Sequence, residues 1–172
     1  MDRSRIEAEM HELEKKLEYK FNNIFLLAEA MKSQKLKKLP EDRDNHNEYS
    51  NESLAFLGDT VIKFLIAESL YKDKAGEDKR KGKMTELKAK LEKNETFHSI
   101  MTEEKLILYS YHDKHFNMDN PPEHEKVVSK EHDPYIEAIA VAINMDGGWE
   151  PVTTWLKNWL LPRLKKYKDN IK

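Results

Sequence analysis

Apolar residues recur every three or four positions through most of the chain, which is the spacing of one face of an α-helix. This pattern predicts helices over residues 3–17, 25–31, 51–71, 85–93, 94–101 and 134–145, then a last amphipathic helix carrying Trp155 and Trp159. A shorter apolar segment, 106–111, predicts a turn or short helix. We therefore expect an all-α fold, a helical bundle formed by one domain over residues 1–172.

Three polar stretches interrupt this pattern and predict loops. Residues 34–50 are polar with one proline, and residues 112–132 hold five acids, four histidines and two adjacent prolines. Residues 72–83 are rich in lysine, which is typical of a solvated connection at the surface.

The segment 51–71 is apolar most of the way round its predicted helix, which indicates a central, buried element. It nevertheless carries Glu52 and Asp59, seven residues apart and hence on one side of the helix, with Ala55 between them. Glu52 has a simple explanation as a first-turn acid favoured by the helix dipole. Asp59 lies deeper, where an acid is costly unless it is hydrogen-bonded, paired or bound to a cation. A structural buried aspartate and a metal ligand are both open interpretations of Asp59.

Composition supports helices and excludes several kinds of site. The chain has 172 residues with only five glycines and six prolines, and its net charge of −2 gives no bulk attraction for nucleic acid. Because cysteine is absent, disulfides, thiolate metal sites and cysteine nucleophiles are excluded. We expect no membrane span and no signal peptide, since no apolar run approaches about 18 residues and the N-terminus is charged. The expected location is the cytoplasm.

Four blocks of the chain resemble the ribonuclease III family, in the family's order. NESLAFLGD (51–59) is similar to the family signature, which reads roughly N-E-x-L-E-F-L-G-D, with Ala55 in place of a glutamate. Residues 13–31 resemble the opening segment, 82–97 a later block, and EAIAVAINMDGG (137–148) the closing E-A-L-x-G-A-x-x-x-D-G-G. The resemblance implies an all-helical endonuclease domain that dimerises, and no appended double-stranded-RNA-binding domain is recognised in the chain.

The resemblance also implies a chemistry. Acids of such domains hold divalent metal, usually Mg²⁺ with Mn²⁺ as an alternative, which activates water and stabilises the leaving oxygen of a phosphodiester. The expected partners are double-stranded or structured RNA, read by its shape and phosphates, and a second copy of the chain. No small-molecule cofactor is expected.

Carried over residue by residue, the resemblance implies that Asp59, Glu137 and Glu52 are catalytic residues and metal ligands. Glu52 matches a family acid outside the core four. The two remaining core acids are replaced, one by Ala55 and the other by Pro134. Asp133 and Glu137 would share a helical face, which leaves two roles open for Asp133. It is a shifted fourth metal ligand or a helix cap that accepts hydrogen bonds from backbone amides.

A further family acid falls on Lys81, where the chain has the opposite charge. Lys81, Lys83 and Lys88 are therefore candidates for contacts with RNA phosphates, although such lysines also serve simply as solvated surface. Two functions compete. One is a metal-dependent endonuclease with weakened activity, and the alternative is a catalytically degenerate member that serves as an RNA-binding or dimeric scaffold module. A helical interaction module unrelated to RNA is a third, more remote class.

Overall fold

A computed structural model describes residues 2–32, 51–72, 81–111, 116–119 and 134–167 of the protein. The α-helices are α1 (Arg3–Leu17), α2 (Ile24–Ala30), α3 (Glu52–Lys72), α4 (Lys81–Leu91), α5 (Asn94–Glu103), α6 (Tyr135–Gly147), α7 (Trp149–Trp155) and α8 (Leu161–Tyr167). Short 3-10 helices form at Ile107–Tyr109 and Asn117–Asp119, and a π-helical segment, Leu156–Leu160, joins α7 to α8. The described residues form isolated β-bridges but no strand, which confirms the all-α prediction.

Helix α6 lies at the centre of the bundle. Its first nine residues, from Tyr135 to Ile143, are all buried, because neighbouring helices cover it on every side. Its most extensive packing is against α3, and α2 and α7 contact it as well. The two most apolar segments of the sequence therefore become the two helices that pack most closely together.

Helices α3 and α6 approach until their backbones touch at Gly58. A Cβ atom at this position would lie 2.0 Å from the carbonyl oxygen of Glu137, which no side chain can tolerate without a backbone shift. Only glycine, which has no Cβ, permits the two backbones to come this close. The contact places Asp59, the next residue of α3, close to the start of the Glu137 side chain.

Asp146 ties the end of α6 to the turn between α1 and α2. Its two carboxylate oxygens accept hydrogen bonds from the amides of Asn22 (2.9 Å) and Asn23 (2.8 Å) and from the Tyr19 hydroxyl (2.9 Å). Burial alone would raise the pKa of Asp146, but these hydrogen bonds outweigh burial and leave the pKa below its ordinary value. Gly148 then ends the helix at φ +86°, as the glycines after Asp146 predict.

Two tryptophan indole groups donate hydrogen bonds to backbone carbonyls at the C-terminal end of α1. Trp155 Nε1 donates to the carbonyl of Leu17 (3.1 Å) and Trp159 Nε1 to that of Lys16 (2.8 Å), while the two rings stack 5.1 Å apart. Helix-terminal carbonyls have no partner within their own helix, so these bonds replace ones that water would otherwise supply. The predicted last amphipathic helix is present, but the π-helical segment divides it into α7 and α8.

One predicted boundary was wrong. Residues 72–83 were expected to form a loop, but Lys72 belongs to α3 and α4 already begins at Lys81. Lysine is a good helix former, so a run of lysines indicates solvent exposure rather than irregular structure. Residues 73–80 lie outside the described part of the chain, as do all of 34–50 and most of 112–132; within the latter, residues 117–119 form one 3-10 turn.

None of the helices in the described segments is long and apolar enough to cross a membrane.

Replacing Gly58 with alanine is expected to destabilise the domain. The added methyl group meets backbone rather than a movable side chain, so we expect a loss of about 3 kcal/mol and a melting temperature lower by roughly 6–12 °C. Gly82→Ala is the matched control, because nothing lies within 4 Å of a Cβ there and alanine favours α4. Differential scanning calorimetry of both variants makes the comparison. Equal stability of the two variants would contradict the close contact between α3 and α6.

Asp146→Asn is expected to cost about 1–2 kcal/mol at pH 7, since an amide nitrogen would face one of the backbone donors. The native pKa of Asp146 is lowered, so its contribution is present above the unfolded-state pKa of about 3.9 and is lost as pH falls through the native value. The stability difference between wild type and variant should therefore shrink below about pH 4. Urea unfolding across pH 3–7 measures it, and a difference that persists undiminished at the acid end would be evidence against the carboxylate's role.

Candidate functional site

The predicted site residues lie where α3 and α6 cross. Glu52 is the first residue of α3 and is partly exposed, as a first-turn acid should be. Ala55 is buried, and Glu137 on the first turn of α6 is only 6% exposed. The interpretation of Asp59 as a buried structural aspartate was wrong, because its side chain is 41% exposed. Asp59 therefore faces solvent beside a buried glutamate on the neighbouring helix.

Asp59 already has a cationic partner. Lys63, one turn further along α3, places its Nζ 2.7 Å from Asp59 Oδ2. This hydrogen bond raises the pKa of Lys63; burial acts weakly against it, and the negative charges of Glu92 and Glu137 reinforce it. Lys63 thus responds to carboxylates from three parts of the chain: α3 itself, the residue after α4, and α6.

Glu92 is an acid of this site that the sequence did not single out. It follows α4, its side chain is 12% exposed, and it is paired with Lys88 at 2.6 Å. Because Lys88 lies one helical turn before Glu92, their pairing could be predicted from the sequence spacing. The influence of Glu92 on Lys63 could not be predicted from the sequence, since it depends on how α4 packs against α3. The surroundings of Lys63 therefore combine three acids, Asp59, Glu92 and Glu137, with a second lysine, Lys88.

The described residues do not fit a resident magnesium ion. Mg²⁺ prefers near-octahedral oxygen coordination with carboxylate ligands. No three acidic or histidine side chains in the described segments form a group that could hold a metal ion. Ala55 supplies no donor, and Asp59 is paired with an ammonium group. Asp133 lies outside the described residues, so its role as a fourth ligand or as a cap stays a prediction.

Helix α4 carries the lysines predicted to contact RNA. Between Lys81 and Leu91 it has four lysines and one glutamate, so the helix is basic as a whole. Lys81 and Lys83 are exposed, with Lys83 3.5 Å from Glu86. Lys88 instead points to Glu92 and belongs to the acidic site. The basic helix thus borders the acids, and its first turn presents cationic groups to solvent.

An apolar patch lies on the solvent side of α3. We define it by Phe56 (83% exposed), Leu57 (51%), Phe64 (52%) and Trp149 (46%). The rings of Phe64 and Trp149 are in contact, with centroids 5.5 Å apart. Phe64 and Trp149 thus form one exposed aromatic pair, while Phe56 and Leu57 are exposed nearer the start of α3. Large exposed apolar groups of this kind are characteristic of interaction surfaces. The patch borders the line of Glu52, Asp59 and Lys63 along the same helix.

Comparisons with known proteins agree on one family. The family model for ribonuclease-III-like domains matches residues 26–164. Ribonuclease 3 of Shewanella frigidimarina is 31% identical over 157 residues, covering 90% of this chain and 62% of the relative. Ribonuclease 3 of Campylobacter fetus is 31% identical over 144 residues, covering 83% of this chain and 57% of the relative. The chain thus spans about six-tenths of the length of these bacterial relatives.

A plant relative and a solved structure extend the likeness. Endoribonuclease Dicer homolog 3 of Arabidopsis thaliana is 35% identical over 100 residues, which is 58% of this chain but 6% of that protein. The nuclease domain of the Campylobacter jejuni ribonuclease III, described for flexibility in a region involved in dimer formation, superposes with a TM-score of 0.64. The two are 26% identical, with 90% of this chain and 95% of that chain covered.

Proposed function

The chain belongs to the ribonuclease III family, and we propose that it binds double-stranded RNA as a dimeric module without efficient Mg²⁺-dependent cleavage of its own. The main support for this proposal is that the acidic side chains are not arranged as a metal site needs. Asp59 is held by Lys63 at 2.7 Å, and the described acids do not gather into a metal-holding group. A site that cannot concentrate divalent charge loses the main means of stabilising a phosphodiester transition state.

The basic helix supports the RNA-binding part of the proposal. Duplex RNA is recognised largely through its phosphates and the shape of its minor groove, so a row of lysines on one helix is a suitable contact. Lys81 and Lys83 are exposed at the start of α4. The position where the family resemblance expects an acid thus carries a cation, which favours RNA contact over metal binding.

A second candidate is the metal-dependent endonuclease that the sequence motifs imply. It is favoured by the retention of Asp59 and Glu137, which the contact at Gly58 keeps next to each other. In this alternative, Asp133 would complete a reduced acid set and cleavage would be slow. The bacterial relatives are named Ribonuclease 3, which is consistent with an enzymatic origin for the fold.

Incubating purified protein with a labelled RNA duplex of two helical turns distinguishes the candidates. With Mg²⁺, with Mn²⁺ or with a chelator, we expect a gel shift that weakens with salt and little cleavage, because binding depends on lysines rather than on metal. Asp59→Asn should still give a gel shift with little cleavage, and its affinity should not fall, because the substitution removes a negative charge beside Lys63. Ala55→Glu tests whether one carboxylate is all that a metal site lacks.

Cleavage by wild type that needs metal and disappears in Asp59→Asn would establish the endonuclease instead. Absence of any duplex binding would overturn the RNA-binding proposal altogether. If the double variant Lys81→Gln/Lys83→Gln binds the duplex with unchanged affinity, another surface of the protein must contact the RNA.

Dimerisation is the second part of the proposal, and the apolar patch supports it. Phe56 lies near the start of α3 and is 83% exposed, which is costly for a side chain of this size unless a partner covers it. A homodimer is the simplest arrangement, because a patch on a twofold axis covers itself. A cytoplasmic location remains part of the same prediction.

Phe56→Glu is expected to convert the dimer to a monomer while the fold remains intact. The side chain is largely exposed in one subunit, so a charge there costs little in the monomer but a great deal in an apolar interface. Sedimentation velocity of wild type, Phe56→Glu and Tyr71→Glu gives the result. Tyr71 is the matched control, since it is 61% exposed at the far end of α3. A monomeric wild type at micromolar concentration would refute the dimer.

A further inference from the structure

Lys63 is placed differently from an ordinary surface lysine. Its Nζ binds Asp59 at 2.7 Å, and the charges of Glu92 and Glu137 act on it from two other parts of the fold. Lys72 offers the natural contrast. It binds Glu68 at the same distance and the same four-residue spacing, at the other end of α3. Only the Lys63 pair lies at the crossing of α3 and α6.

We infer that Lys63 is the resident cation of the acidic site and occupies the position that a divalent ion would require. Lys63 binds Oδ2 of Asp59, whose side chain is 41% exposed, whereas Glu137 across the crossing is buried. A divalent ion that used this oxygen would have to displace the ammonium group of Lys63 or lie beside it, and like charges at such distances repel. The second lysine, Lys88, neutralises Glu92 in the same way. The two lysines therefore explain why the carboxylates at this site do not fit a magnesium ion.

A resident lysine also has a consequence for RNA, which rests on the proposed function. Three carboxylates would repel a phosphate backbone, whereas an ammonium group among them lets a phosphate approach. Lys63 remains 49% exposed while bound to Asp59, so its ammonium has room for a second acceptor. Lys63 would then contact a phosphate oxygen directly, without an intervening metal.

The manganese affinity of the free protein tests the first step. We would titrate Mn²⁺ into wild type, Lys63→Gln and Lys72→Gln, and follow free Mn²⁺ by electron paramagnetic resonance. Removing the resident charge should tighten Mn²⁺ binding about tenfold in Lys63→Gln, while Lys72→Gln stays within about twofold of wild type. Equal affinities in all three proteins would overturn the inference, since Lys63 would then be an ordinary surface ion pair. Because Lys63 is half exposed, the variant should fold, and circular dichroism checks this.

Duplex RNA binding in chelator tests the second step. Lys63→Gln should bind several-fold more weakly, with a log–log salt slope smaller by about 0.9 for one lost phosphate contact, while Lys63→Arg retains both values. Unchanged affinity and slope in Lys63→Gln would overturn the phosphate contact. A wild-type protein that binds no duplex RNA would overturn the proposed function, and the manganese titration would still decide the role of Lys63.

Discussion

Contact between the backbones of α3 and α6 at Gly58 determines the arrangement of the whole domain. A Cβ at this position would lie 2.0 Å from the Glu137 carbonyl oxygen, so the two helices are at the minimum separation that helical backbones allow. The other helices pack around this pair, and α6 is buried from Tyr135 to Ile143. The same contact brings Asp59 and Glu137 together, so the core and the candidate site have a common origin.

The acids at this crossing are partly neutralised by lysines of the same protein. Carboxylates that gather beside a buried helix need cations, whether bound ions or side chains. Here Lys63 and Lys88 supply that charge, and Ala55 reduces the number of acids to be neutralised. The absence of an acid at position 55 and the presence of the lysines therefore both reduce the negative charge at the crossing, and this reduction is the basis for proposing RNA phosphates rather than metal as its ligand.

Most helices could be predicted from the sequence because hydrophobic periodicity is a local property. The predicted segments 3–17 and 51–71 agree with α1 and α3 to within a residue. The prediction of a loop at residues 81–83 was wrong because these residues include no apolar side chain, so hydrophobic periodicity gives no sign of the helix there. The interpretation of Asp59 as buried was wrong for a different reason. On a helix that is apolar nearly all round, the direction of the solvent is set by neighbours rather than by the pattern.

The sequence by itself determined the fold class, the family motifs, and which acids are missing, because these follow from residue identity and spacing. It also determined Ala55, Pro134 and Lys81 as departures from the motif. Only the tertiary structure decided that the charge of Glu92 acts on Lys63, and that the exposed rings of Phe64 and Trp149 are in contact. These relations join residues from different helices, and helix packing is a non-local interaction that no sequence window contains.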